Sequence, residues 1–256
     1  MKQPLAYIHP EARIADNVVV DPFTTIDKDV EIGEGCHIGP NVTIMPGVRI
    51  GKNCRVYPGA VIGAAPQDLK YKGEYTTVEI GDNTTIRECV TINKGTSAKN
   101  KTVIGNSCLI MAYVHVAHDC TVGDNVILVN STQLAGEVVV EDWAILGGTT
   151  AVHQFVRIGK HAMISGGSLV RKDVPPFTKV GREPLSFAGV NSIGLRRRNF
   201  SNEKIREIQD IYRYIYQKDL NTTQAIELIE AEVPTSAERD EVLTFVRNSE
   251  RGIVRG

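Results

Sequence analysis

The hexapeptide HVAHDC at residues 115–120 sets two imidazoles, His115 and His118, beside the carboxylate of Asp119. A neutral imidazole can take the proton of a hydroxyl near neutral pH, and an adjacent carboxylate can fix its tautomer and stabilise the imidazolium that forms. Gly136 and Glu137 lie 18 residues beyond His118 and Asp119, and His153 and Gln154 lie 18 beyond Ala135 and Gly136. A glycine in such a place lets a ligand come close to the chain, where a backbone N–H can meet a developing oxyanion. The competing reading is that these are solvated histidines or contacts between chains. His9, His37 and His161 fall away from the group and are read as structural.

The interval of 18 has meaning because the chain keeps a period of six. Counting by sixes from Ile8 to Val170 gives 28 positions, and 25 of them are Ile, Leu or Val; the exceptions are Asp68, Glu74 and Ala98. Four residues after each aliphatic comes a smaller one, as in Val18, Thr24, Val30, Cys36 and Val42. Six matches neither a helix nor a free strand, but it matches a short strand plus a tight corner. Three such units close a triangular coil of 18 residues, and stacked coils make a parallel β-helix. Gly and Asn crowd the corners, where φ is often positive. The period resembles that of hexapeptide-repeat proteins, and the resemblance implies left-handed coils, against the usual hand of parallel crossovers. The predicted fold is therefore mainly β, a left-handed parallel β-helix. Residues equivalent on successive coils form columns, so His118, Gly136, Gln154 and their neighbours should share one edge.

Two polar stretches, 64–79 and 94–103, are read as loops leaving the coil, since Asp68 or Glu74 inside a dry prism would be an unpaired buried charge. The prolines of DVPPF (173–177) mark the end of the repeat. Beyond it the apolar spacing becomes helical. Ser201 is placed as N-cap of a helix burying Ile205, Ile208, Ile211, Tyr212, Ile215 and Tyr216; a second helix spans about 222–232, and a third follows Pro234 with Ser236 as cap. The expected division is a prism over 1–184 and a helical domain over 185–256.

With 29 Lys+Arg against 30 Asp+Glu, the chain lacks the basic excess that nucleic acid demands. No apolar stretch approaches membrane-spanning length, and the amino terminus shows no signal peptide, so a cytoplasmic protein is expected. Five cysteines without a CxxC pair suggest neither a disulfide framework nor a zinc knuckle, and no metal or other cofactor is expected.

The motifs QDLKY (67–71), TINKGT (91–96), HVAHDC, LAG (134–136), AVHQF (151–155), DVPP (173–176) and GVNSIGLRRR (189–198) together resemble the UDP-N-acetylglucosamine 3-O-acyltransferase family of lipid A biosynthesis, across the whole chain. The resemblance implies transfer of an (R)-3-hydroxyacyl group from acyl carrier protein to the 3-hydroxyl of UDP-N-acetylglucosamine. It implies His118 as general base, Asp119 as its orienting partner and the Gly136 amide as oxyanion donor. It further implies substrate contacts from Gln67, Asp68 and Lys70 on the first loop, from His115, Glu137, His153 and Gln154 along the edge, and from Asn191, Arg197 and Arg198 toward the nucleotide. Met163, Ser165 and Gly166 would form the acyl-chain pocket, left long by the missing side chain at Gly166. A homotrimer with sites between subunits is implied as well. Glu137 stands where many relatives have His, and Ile193 where they often have Glu. The rival readings are another hexapeptide acyltransferase acting on a nucleotide sugar, and a zinc carbonic anhydrase of the same fold, which would need three His on one metal.

Overall fold

The computed structural model describes residues 3–218 and 220–256. From Tyr7 to Val170 the chain makes short strands, mostly two residues long, that pair only with strands of the coils above and below. They form three parallel faces of nine, eight and ten strands, the last including a terminal hairpin. The register steps by 18 through the regular coils, as in His115 on Gln133 on Ala151 on Leu169. The fold is a left-handed parallel β-helix followed by helices.

The frame aliphatics fill the prism. Ile26, Ile44, Ile62, Ile92, Val116 and Leu134 are completely buried in one column, and Ile86, Ile110, Leu128 and Leu146 in another. A fully buried Leu or Ile stabilises by about 1.5–3 kcal/mol over its exposed state, and the prism repeats this at every side of every coil. Val42, Cys54, Ala60, Cys108 and Cys120 fill the corners beside them, while Cys89, outside that set, is exposed.

Two sequence expectations about corners need refinement. Positive φ falls on the third residue after the frame aliphatic, where Asn41, Asn53, Asn83 and Asn125 sit, but so do Asp119, Glu137, Trp143, Phe155 and His161. The glycines that follow the aliphatic directly serve another purpose. A Cβ on Gly105 would lie 2.6 Å from the carbonyl carbon of Gly123, and one on Gly33 2.7 Å from the Gly51 oxygen. Close stacking of corners, not backbone hand, demands them.

The excursions are shorter than the polar stretches suggested. Val61–Ala64, Thr77–Ile80 and Lys101–Ile104 are strands in the ladders, so the chain leaves the coil only over 65–76 and 94–100. Asp68 and Glu74 stay outside the prism.

The repeat also outlasts DVPPF. Val174 bridges Ile158, and Thr178–Gly181 pairs in parallel with Met163–Ile164, burying Val174 and Val180. Ser186–Val190 then returns antiparallel to Thr178–Gly181, so a division at residue 184 passes through the turn of a hairpin that still belongs to the prism face. Four helices follow: α1 (Ser192–Arg197), α2 (Asn202–Gln217), α3 (Thr222–Glu232) and α4 (Ala237–Arg247). Ser201 and Ser236 cap α2 and α4 as expected, and α1 is an addition. Asp173, buried, accepts from the Arg157 amide at 2.8 Å and the Ser249 hydroxyl at 2.7 Å, pinning the chain's last residues to the prism.

Leu128 is packed between Ile110 and Leu146 with no exposure. Leu128→Ala should cost about 2–5 kcal/mol, read as a lowered urea midpoint with an unchanged m-value.

Candidate active site

The edge following the His115–Val116 strand gathers the chemistry. His118 is 8 % exposed and Asp119 fully buried. Nδ1 of His118 lies 2.8 Å from Oδ2 of Asp119. The carboxylate is engaged on all sides. Oδ2 also accepts from the Thr96 hydroxyl at 2.6 Å, and Oδ1 accepts from the amides of Thr96 and Lys99 at 2.9 and 3.2 Å. The Asp119 amide donates to the Thr102 hydroxyl, and the Lys99 ammonium donates to the Asp119 carbonyl. These contacts hold a corner with φ of 60° in place. Burial by itself would raise the Asp119 carboxyl, but the donors from Thr96, His118 and Lys99 outweigh it and hold the group below its ordinary 3.8.

An ionised Asp119 requires a proton on Nδ1 of His118. That leaves Nε2 unprotonated in the neutral ring, with its lone pair directed outward. Oδ2 of Asp68 on the first excursion stands 3.8 Å from this Nε2. On the next coil, the Cα of Gly136 faces the imidazole so closely that a Cβ would lie 2.5 Å from Nε2. The Gly136 N–H donates to no group among the described residues. The arrangement can take a proton at Nε2 while a neighbouring N–H receives negative charge.

The remaining edge residues fall where the column arithmetic places them. His115 bonds through Nδ1 to Thr91 Oγ1 at 2.7 Å. Burial, with the nearby His118 adding to it, lowers its basicity. Glu137 donates its amide to the His118 carbonyl. His153 is exposed, with Nδ1 3.1 Å from the Gln154 carbonyl. Gln67 and Lys70 are exposed at the tip of the first excursion, where the Lys70 amide caps Asp68 Oδ1 at 2.8 Å.

The other candidate residues sit elsewhere on the same prism. Met163 lies on the ten-stranded face, and Ser165 and Gly166 on the corner beyond it, where a Cβ on Gly166 would meet the Gly148 oxygen at 3.1 Å. Arg198 lies at the third edge. Its Nη1 is 3.1 Å from His161 Nδ1 and its guanidinium carbon 5.1 Å from the centre of the Trp143 ring. Burial, then the charges of Arg198 and Lys160, push His161 down to about 4, so it meets Arg198 as an acceptor. Arg197 is exposed. Asn191 is buried and turned inward: its amide donates to the His161 carbonyl at 2.9 Å, and its oxygen caps α1 by accepting from Gly194. These two bonds fix the side chain at the start of α1, beside Arg197 and Arg198.

Sequence reasoning missed Thr96, Lys99 and Thr102, the residues that hold Asp119, and Trp143, which with the structural His161 holds Arg198. The only available signal was that the second excursion preserves the frame, which returns it to the same edge.

Comparison with known proteins follows the geometry. The family profile described as Udp N-acetylglucosamine O-acyltransferase, domain 2, matches residues 173–254, and the bacterial transferase hexapeptide profile matches 11–44, 29–64 and 101–136. An acyl-[acyl-carrier-protein]–UDP-N-acetylglucosamine O-acyltransferase of Janthinobacterium sp. (strain Marseille) is 47% identical over 257 residues, 98% of each chain. One from Herminiimonas arsenicoxydans is 50% identical over 201 residues, 77% of each. Among solved structures, the UDP-N-acetylglucosamine acyltransferase of Bacteroides fragilis 9343 superposes with a TM-score of 0.98 at 54% identity, covering 100% of both chains. That of Francisella novicida gives 0.97 at 41% identity, covering 100% of this chain and 94% of the other.

Because the folded pKa of Asp119 lies below its unfolded value, its ionisation stabilises the fold above about pH 4 and ceases to do so as pH falls through the folded pKa. The urea midpoints of the wild type and Asp119→Asn should therefore differ most near pH 7 and converge on acidification below about pH 4.

Proposed function

The chain belongs to the acyl-[acyl-carrier-protein]–UDP-N-acetylglucosamine O-acyltransferase family, and we propose that His118 is the base with which it performs that family's reaction. It transfers an acyl group from acyl carrier protein to UDP-N-acetylglucosamine, the first step of lipid A biosynthesis. The observation that carries the proposal is the pairing of His118 Nδ1 with a buried, four-times-bonded carboxylate while Nε2 stays open beside Gly136.

In the proposed step, Nε2 takes the proton of the sugar 3-hydroxyl as its oxygen attacks the thioester carbonyl of an (R)-3-hydroxyacyl carrier protein. The Gly136 N–H receives the tetrahedral oxyanion. Collapse breaks the C–S bond, and the departing thiolate recovers the proton from Nε2. The products are the 3-O-acyl nucleotide sugar and the free carrier thiol, with His118 neutral again. Asp119 keeps Nδ1 protonated throughout and stabilises the imidazolium. Asp68, near Nε2, and Gln67 and Lys70 beside it on the excursion, are assigned to the glucosamine and acyl portions. His115, Glu137, His153 and Gln154 are assigned to the sugar and diphosphate.

Arg198, assigned with Arg197 to the nucleotide, and Ser165 and Gly166, assigned with Met163 to the acyl chain, lie on other edges than His118. A homotrimer accounts for this, with each site assembled between neighbouring copies. No described helix is long and apolar enough to cross a membrane, and a cytoplasmic location is part of the proposal.

His118→Ala should stay folded, with a native far-UV circular dichroism spectrum, and lower kcat by about 10²–10⁴-fold in an assay with UDP-N-acetylglucosamine and hydroxyacyl carrier protein; full-speed turnover would end the proposal. Gly166→Met should move the optimum of kcat/KM toward shorter acyl chains across a graded series of donors. An unchanged preference would refute the assignment of the chain-end pocket.

A further inference from the structure

The active-site edge does not stop at Gln154. The strand register carries His115 through Gln133 and Ala151 to Leu169, so the next residues of the His118 column and its neighbour are Lys172 and Arg171. Both line a cleft of about 490 Å³ at that end of the prism, together with Arg182 and Arg255. All four cations are exposed, and among the described residues none has an ion pair or a side-chain hydrogen bond. Glu183 is the one acidic side chain lining the cleft. Several cations elsewhere on the prism are paired, Arg49 with Asp29, Lys101 with Glu79 and Arg157 with Glu141, whereas here four unpaired ones meet around one cleft. Four like charges left open around one concavity favour an anion from outside. The cleft is not wholly polar, because Leu169, Pro184 and Leu185 supply an apolar wall.

Reach decides which anion. Three coil steps of ~4.8 Å set Lys172 about 14 Å from His118 along the edge. In the acceptor, about five bonds separate the 3-oxygen from the nearer phosphorus, a reach of roughly 6 Å at ~1.2 Å per bond. In the donor, about 13 bonds separate the thioester sulfur from the phosphodiester of the carrier's prosthetic arm, roughly 15 Å when extended. The arm also carries a branched dimethyl carbon next to that phosphate, which suits the apolar wall.

The geometry points to the cleft of Arg171, Lys172, Arg182 and Arg255 as the seat of the donor's phosphodiester and of the acidic carrier surface around it. This rests on the acyl-transfer reading of the same edge. Lys172 continues the column of His118, so a phosphate held in the cleft stretches the arm along that edge and presents the thioester to Nε2. Arginine serves this well, since its planar fork can bind two phosphate oxygens at once.

The test compares two small donors, hydroxyacyl phosphopantetheine and hydroxyacyl pantetheine, with the carrier-bound donor, in the wild type and in Arg171→Gln/Lys172→Gln. The wild type should use the phosphorylated small donor with kcat/KM about 10–100-fold higher than the unphosphorylated one, as expected for charged hydrogen bonds. In the double variant that ratio should fall to a few-fold, KM for the carrier-bound donor should rise, and the salt dependence of its kcat/KM should flatten. KM for UDP-N-acetylglucosamine should stay put. An unchanged ratio in the variant, or no phosphate preference in the wild type, would overturn the assignment. So would a raised acceptor KM with the donor ratio intact, which would give the cations to the acceptor. Wild-type protein that transfers from none of the donors would overturn the acyl-transfer reading as well, a failure distinguishable from these.

Discussion

Each coil must seat its aliphatic residues on those beneath while bringing the two backbones within hydrogen-bonding distance. A strand of two residues has no stability alone, so its existence depends on the coils on either side. That dependence accounts for the strictness of the rhythm. Ile110, Leu128 and Leu146 stand in one column of one face because a shift of one residue would turn each outward. It also accounts for the glycines at Gly33, Gly51 and Gly105, where the corners approach too closely for a Cβ. The same spacing that makes the core continuous makes the surface a set of straight columns. Function on such a scaffold is a matter of which column carries a residue that the core does not need.

Asp119 shows what that freedom costs. It occupies a corner with positive φ, fully buried, where an unpaired carboxylate would be strongly unfavourable. The second excursion resolves the difficulty by leaving the coil and returning over the same edge, supplying the amides of Thr96 and Lys99 and the Thr96 hydroxyl. The first excursion is tied to it: Glu74 accepts from the Ser97 amide at 3.0 Å, and the Thr76 hydroxyl donates to the Gly95 carbonyl at 2.6 Å. Asp68, which approaches Nε2 of His118, is carried by the loop so anchored. The two breaks in the repeat thus form one brace, with its acceptor at Asp119 and its reach toward the imidazole.

What was legible in the sequence follows from how local each determinant is. The six-residue frame is local, and it located the prism, its columns and the juxtaposition of His118 with Gly136. The caps Ser201 and Ser236 are local too, and the helices they begin stand where expected. Thr96 was not legible, because nothing in TINKGT tells that its hydroxyl will meet a carboxylate 23 residues away. Nor was the continuation past DVPPF. Prolines forbid a donor at their own positions but not at Val174 and Val180, which pair on with Ile158 and Ile164. Asn191 and Arg198 were singled out through the GVNSIGLRRR motif, yet their orientation depends on His161, which only the stacked prism brings beneath them.

Rigidity decides the remaining question of how the dispersed residues could act together. His118, Gly166 and Arg198 occupy three separate edges of a stacked prism whose dense core leaves no hinge between them. A lid or domain closure could join them in a jointed protein, but a β-helix does not bend around a ligand. On the proposed reading, the complement to the His118 edge is a second copy of the chain, which presents its other two edges already formed. A three-fold arrangement places an edge of each copy against a different edge of the next and closes without leaving one unmatched. Each site would then be positioned by two preorganised surfaces, so the cost of ordering it falls on assembly and not on each turnover.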